Sequence, residues 1–120
     1  MTGKLKPCPS TPNCVCSCCP PNDKHFVGPF SVEKSWPEIQ LTLQSELTAL
    51  AGCRLTGEEE NYLHFVFVSK FFGFKDDVEF FFDQAAGLLQ VRSASRLGRY
   101  DFGANRKRVE MLRDLLKNKI

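Results

Sequence analysis

No stretch of this chain approaches the roughly 18 consecutive apolar residues that a membrane-spanning helix needs. The N-terminus, MTGKLKPCPSTPN, also lacks the apolar run of a secretory leader. These two absences set the expectation of a soluble protein, cytoplasmic by default. Histidine is scarce, with only His25 and His64. The cysteine spacing C-x5-C-x-C-x-C-C is not followed by the second Cys or His pair that a zinc ribbon or finger requires. Charge of one sign is not in excess: the net charge is +2, too little for the whole chain to act as a nucleic-acid polyelectrolyte partner. No phosphate-cradling loop spacing and no RNA- or DNA-binding signature occurs, and no cofactor is expected.

What is present fits one globular domain. A chain of 120 residues, 42% hydrophobic and 25% charged, can bury a core without staples. The charge is placed unevenly. Residues 1–90 carry 7 Lys and Arg against 11 Asp and Glu, whereas residues 91–120 carry 9 against 3, so the C-terminal quarter is the basic end. Its centre is RSASRLGRYDFGANRKR, residues 92–108. Five of the six cysteines lie within Cys8–Cys19, and five of the seven prolines fall by position 21. Residues 1–34 therefore read as an extended Cys/Pro-rich arm on a domain spanning 35–120.

Periodicity orders the rest. The run SWPE places Ser35 as N-cap, Pro37 in the first turn and Glu38 returning to the cap. Trp36, Ile39, Leu43, Leu47 and Leu50 then follow at helical steps, and Gly52 is a natural stop. Four strands are expected: Cys53–Gly57 with EEEN as its turn, Tyr62–Ser69, Asp77–Asp83 and Leu88–Ser95. A closing helix runs from about Ala104 to Lys117, with Val109, Leu112 and Leu116 as its stripe. The order α-β-β-β-β-α predicts an α+β two-layer sandwich, a four-stranded antiparallel meander with both helices on one face. A four-residue loop at 84–87 pairs Asp83 with Leu88, Phe80 with Val91 and Glu79 with Arg92; the last is a sensible cross-strand ion pair. Laying Tyr62–Ser69 alongside puts Val66 near Glu79 and His64 near Phe81. The second sheet face then carries His64, Val66, Val68, Asp77, Glu79, Phe81, Gln90 and Arg92. It is a mixed surface that the arm, a partner or a ligand would cover.

The blocks LKPCPSTPNCV (5–15), NYLHFVFVSKFFGFKDDVEFFFD (61–83) and VRSASRLGRYDFGANRKRVE (91–110) resemble domain-of-unknown-function family 1499. The resemblance implies a small domain found in bacteria and plastid-bearing eukaryotes, often behind a signal or membrane segment. It carries no established activity, and so no catalytic residues. Cys8 and Cys14 fit the family pattern; Cys16, Cys18 and Cys19 lie beyond it. Val66 and Val68 stand where more polar residues are expected.

Three constellations follow. The first is the arm: Cys8, Cys14, Cys16, Cys18 and Cys19 are reduced surface thiols or a metal site, and a Cys8–Cys14 disulfide across the Pro-rich loop is the further option. The second is the basic stretch. Arg96, Arg99, Arg106, Lys107 and Arg108 with Tyr100 and Phe102 have charge and rings, yet nucleic acid is an unfavoured partner. An anion seat would gather Arg92, Ser95, Arg96, Asn105 and Arg106 at the helix start. The better-supported reading is a structural latch, with Asp101 capping the helix or pairing Arg106 or Arg96, and Glu79 answering Arg92. His64 beside carboxylates would suit acid–base work, but no nucleophile is placed beside it. The third is Phe71, Phe72 and Phe74, between Lys70 and Lys75, which either fold back on the core or form an apolar lip for a protein or lipid surface. The favoured function is a non-enzymatic binding or accessory module. Its alternatives are an anion-binding protein or enzyme using His64, Glu79, Arg92 and Arg96, and a thiol or metal module. The partner would be a protein or a small anionic ligand.

Overall fold

The computed structural model describes residues 5–98 and 100–120, so Arg99 and the first four residues of the arm lie outside the described residues. The elements are β1 (Cys14–Cys16), β2 (Phe30–Ser31), α1 (Trp36–Thr48), β3 (Cys53–Glu59), β4 (Tyr62–Val68), β5 (Lys75–Asp83), β6 (Leu88–Ser95) and α2 (Ala104–Leu116). The architecture is α+β with an antiparallel sheet and two helices. The sheet has six strands, not the four expected, because two short arm segments join it. Its path is β1-β6-β5-β4-β3, and β2 also pairs with β6. β1 sits against Arg92–Ala94 and β2 against Leu88–Leu89, so the two share one edge of β6. That edge would otherwise present unpaired N–H and C=O groups to solvent.

The β5–β6 register agrees with the expectation: Asp83 opposes Leu88, Phe80 opposes Val91 and Glu79 opposes Arg92. The β4–β5 register differs by two residues. His64 opposes Glu79 and Val66 opposes Asp77, because β5 begins at Lys75 rather than Asp77. A slip of two keeps every side chain on its expected face but changes its neighbours. β3 is also longer than expected. It reaches Glu59, and the hairpin turns at Glu60–Asn61, with Asn61 left-handed (φ 59). The register shift between Leu55 and Gly57 marks a bulge.

Helix α1 forms as its sequence dictates. Glu38 accepts hydrogen bonds from the Ser35 backbone N–H (3.4 Å) and hydroxyl (2.9 Å). Ile39, Leu43 and Leu47, four residues apart, are fully buried on the face turned to the sheet. Trp36 stacks on Phe82, with centroids 5.8 Å apart. After the helix, Gly52 holds φ 74, and a Cβ there would lie 2.5 Å from the Val68 carbonyl oxygen, so the turn needs glycine twice over. Val109, Leu112 and Leu116 of α2 complete one core with Leu63, Phe65, Val78, Phe80, Leu89 and Val91. A fully buried Phe or Leu side chain contributes about 1.5–3 kcal/mol. A second, smaller cluster lies on the opposite sheet face: Leu5, Cys16 and Cys19 of the arm pack with Tyr62, flanked by Cys8, Phe26 and Phe81. The arm thus covers part of the mixed face. No helix among the described residues is long and apolar enough to cross a membrane.

Candidate functional site

The period of two along β4, β5 and β6 places His64, Asp77, Glu79, Arg92 and, beyond the strand end, Arg96 together on the second face. Tyr62 donates its hydroxyl to Glu79 Oε2 (2.6 Å), and Arg92 Nη1 donates to Glu79 Oε1 (3.4 Å). Burial, and then the hydrogen bond to the negatively charged Glu79, push the Tyr62 phenol well up. Arg96 grips Asp77 with two 2.9 Å bonds, and His64 Nε2 lies 2.7 Å from Asp77 Oδ1. Burial raises the Asp77 carboxyl, but the bonds from Arg96 and His64 outweigh it and hold the group below the usual carboxylate range. The four residues expected to act as an anion or acid–base surface are therefore occupied, His64 and Arg96 by Asp77, and Glu79 and Arg92 by each other. Arg92 is less well satisfied, because its Nε is buried with no hydrogen-bond partner.

The remaining expected residues lie elsewhere. Ser95, Asp101 and Asn105 meet on the helix side of the sheet, where Asn105 is fully buried. Asn105 Oδ1 accepts from Ser93 Oγ (2.6 Å) and Arg108 Nη1 (2.8 Å). Its Nδ2 donates to the Asn13 carbonyl (3.1 Å), Ser95 Oγ (3.0 Å) and Asp101 Oδ2 (2.8 Å). Asp101 caps α2 through the Gly103 N–H (2.9 Å) and Asn105 N–H (3.1 Å). Burial raises its carboxyl too, yet the Asn105 and Gly103 donors bring it below its usual value. Asp101 pairs with neither Arg96 nor Arg106 among the described residues, and Arg106 turns instead to the arm. It donates to the Lys24 (2.6 Å) and Phe26 (2.9 Å) carbonyls of the arm. Arg92, Arg96 and Arg106 consequently do not converge. Two are on the second sheet face, Arg96 exposed at its end, and the third is on a helix facing the arm backbone.

The arm cysteines divide between a disulfide and free thiols. Cys8 and Cys14 form a disulfide. Cys16 and Cys19 are buried, and Cys18 is exposed with its thiol 3.9 Å from Gln90 Oε1. The hydrogen bond with Cys18 and then burial push the Cys16 thiol far up, which makes it a poor nucleophile and a poor metal ligand. Among the described residues no group of three or more His, Cys, Asp or Glu is arranged to hold a metal ion.

A different surface stands open at one end of the sheet. β4 ends at Val68 opposite Lys75, and β6 ends at Ser95 opposite Asp76, so loop 69–74 and segment 96–103 leave from the same end. Phe71, Phe72 and Phe74 on the first and Leu97, Tyr100 and Phe102 on the second are 57% to 85% exposed. They are six of the eight large apolar side chains that stand exposed among the described residues. The first loop does not fold back on the core. It closes on itself: the Ser69 N–H donates to the Phe74 carbonyl (2.8 Å), and the Phe74 N–H donates to Ser69 Oγ (2.9 Å). Phe72 and Phe74 stack at 5.4 Å, and Lys70 Nζ lies 5.7 Å from the Phe71 ring. On the second segment Tyr100 and Phe102 meet edge to face at 4.7 Å. Phe102 is left-handed (φ 54), which costs a bulky residue about 1–2 kcal/mol. A cleft of about 560 Å³ lies between the two segments. At its base the Arg108 guanidinium rests 4.9 Å from the Phe67 ring and pairs with Asp76 at 2.7 Å.

Sequence reasoning weighed Phe71, Phe72 and Phe74 for this role but did not join them to Leu97, Tyr100 and Phe102. The available signal was apolar residues that fall outside any period, just before a helix start. The model of the family described as protein of unknown function (DUF1499) matches residues 4–116. No curated protein and no solved structure matches the chain.

Proposed function

We propose that this chain, which belongs to the DUF1499 family of proteins of unknown function, is a non-enzymatic docking module that seats the end of its sheet on an anionic lipid surface. The observation that carries the reading is the gathering of exposed rings on two loops that leave the sheet at one end. Ring-tipped loops that protrude suit insertion among headgroups better than a flat protein contact does. The charge agrees. Lys70 and Lys75 flank the tip of loop 69–74, and that loop carries no acidic residue. Each basic group near an anionic bilayer adds about 1 kcal/mol of attraction. The reading is supported further by the second sheet face, where His64 and Arg96 already engage Asp77 and Arg92 engages Glu79.

The test is co-sedimentation with phosphatidylcholine vesicles, with and without about a third phosphatidylglycerol. Binding to the anionic vesicles, weakened by salt, is expected. The Phe71→Asp/Phe72→Asp double variant should bind at least about tenfold more weakly, since two buried rings are lost. Equal binding by that variant, or no binding to either vesicle, removes the proposal.

A further inference from the structure

We infer that the cleft between the two apolar loops is a binding site for one amphipathic anion, a molecule with an apolar chain or ring body and a single carboxylate- or phosphate-type head. This inference rests on the reading that the loop end is the docking end, and it names what that end holds.

The size is right. About 560 Å³ falls within the range of small-molecule sites, roughly 300–1,000 Å³. The walls are apolar where a body would lie: Phe67 at the base, Phe74 from one loop, and Leu97, Tyr100 and Phe102 from the other. The base offers no free cation to an incoming head, and the Asp101 carboxylate, which also lines the cleft, is held by the Gly103 and Asn105 donors. Asp76 and Arg108 neutralise each other, and Arg108 is further occupied by Asn105 Oδ1 at 2.8 Å. A charged head buried there would displace a satisfied pair, so the apolar end enters first. The cation left for the head is Lys75, which lines the cleft, is exposed and has no side-chain partner among the described residues. A lone ammonium beside an apolar slot selects an anion with an apolar body over a neutral molecule of the same shape. Phe102 adds to the argument, since it is exposed in a left-handed conformation that glycine would adopt more readily. Its ring forms a wall of the slot.

The test uses the full chain without vesicles and the probe 8-anilinonaphthalene-1-sulfonate, which pairs an aromatic body with one anionic head. Saturable binding of one probe per chain is expected. Two plugs of the cleft, Ala104→Trp and Ala51→Trp, sit at exposed lining positions, and each should weaken the probe at least about tenfold. Decanoate should displace the probe, and decanol, with the same chain and no charge, should do so much less well. Lys75→Glu should erase that difference. Displacement by decanoate assigns a free amphiphile; displacement by lysophosphatidylglycerol but not by decanoate assigns a lipid. Unchanged probe affinity in both plug variants overturns the site, and so does non-saturable binding. Decanol competing as well as decanoate overturns the anion. The docking reading fails separately. Phe71 and Phe72 do not line the cleft, so Phe71→Asp/Phe72→Asp should keep its probe affinity while losing vesicles, and the plug variants should do the reverse.

Discussion

The arm side of this molecule and the loop end use the same kinds of residue in opposite ways. On the arm side the arginines are consumed. Arg106 holds the Lys24 and Phe26 carbonyls, and Arg113 holds the Gly28 and Pro29 carbonyls while lying 4.6 Å from the Phe30 ring. Arg92 and Arg96 are spent on Glu79 and Asp77. At the loop end the rings are not consumed: Phe71, Phe72 and Phe102 stand in solvent. The basic C-terminal quarter, conspicuous in the sequence, is thus largely a set of fasteners. On the docking proposal, the interaction surface lies in the apolar residues left over. A cluster of charge most of whose donors have acceptors has little left to offer a ligand, whereas an exposed ring has its whole desolvation energy still to give.

The most direct way to break this contrast is at Asn105, which ties the two regions together. Its amide joins Asn13 of the arm, Ser93 and Ser95 of the sheet and Asp101 of the second segment. Asn105→Ala leaves several buried polar groups without partners and should cost about 2–4 kcal/mol in urea unfolding. Hydrogen exchange should quicken both near Asn13 and near Asp101. A loss confined to one of them would show that the regions are not coupled through this residue.

How much of this was legible in the sequence depended on the range of each interaction. The β5–β6 hairpin was readable because Gln84–Gly87 fixes a short loop and Glu79 and Arg92 agree with the resulting register. The capped start of α1 was readable from four adjacent residues. The two arm strands were not, since three residues and two residues are too short to show a period. They form because β6 has an open edge, a fact about the finished sheet. The partners of Arg106 and Arg113 were hidden for a like reason: carbonyls that lack a strand or helix partner are visible only once the arm has been laid down. His64 was placed on the correct face but beside the wrong residue, because the start of β5 at Lys75 has no local marker. The exposure of Phe71, Phe72 and Phe74 was undecidable from composition, which favours burial. The Ser69 bonds that make the loop self-contained decide it.

A smaller effect sharpens the paired side. The Asp77 carboxyl titrates below its unfolded value of 3.8, through Arg96 and His64. The stability it contributes is present above the unfolded pKa and is lost as pH falls through the folded one. Unfolding free energy should therefore drop on acidification below about pH 4 more steeply in the wild type than in Asp77→Asn. The difference between them should be a few tenths to about 1 kcal/mol, as partly exposed pairs give. Parallel pH curves would mean that the Arg96–Asp77 grip adds nothing to stability in solution.

The smallest change in stability should come from the loop end, and its sign matters more than its size. Phe102 buries little and holds φ 54 between Asp101 and Gly103. Replacing it with glycine relieves left-handed strain of about 1–2 kcal/mol, while the greater freedom of glycine in the unfolded chain takes back about 0.5–1 kcal/mol. Loss of the edge-to-face contact with Tyr100 offsets part of the remaining gain of about 0–1.5 kcal/mol, so Phe102→Gly should be as stable as the wild type or about 0.5 kcal/mol more so, measured by urea unfolding. It should also bind an amphipathic probe more weakly, because a wall of the cleft is gone. Stability and binding moving in opposite directions is what a residue retained for contact, rather than for folding, must show. If Phe102→Gly instead loses stability, the ring packs on the body of the protein in solution. The loop end would then resemble the arm side, a surface already spent on itself.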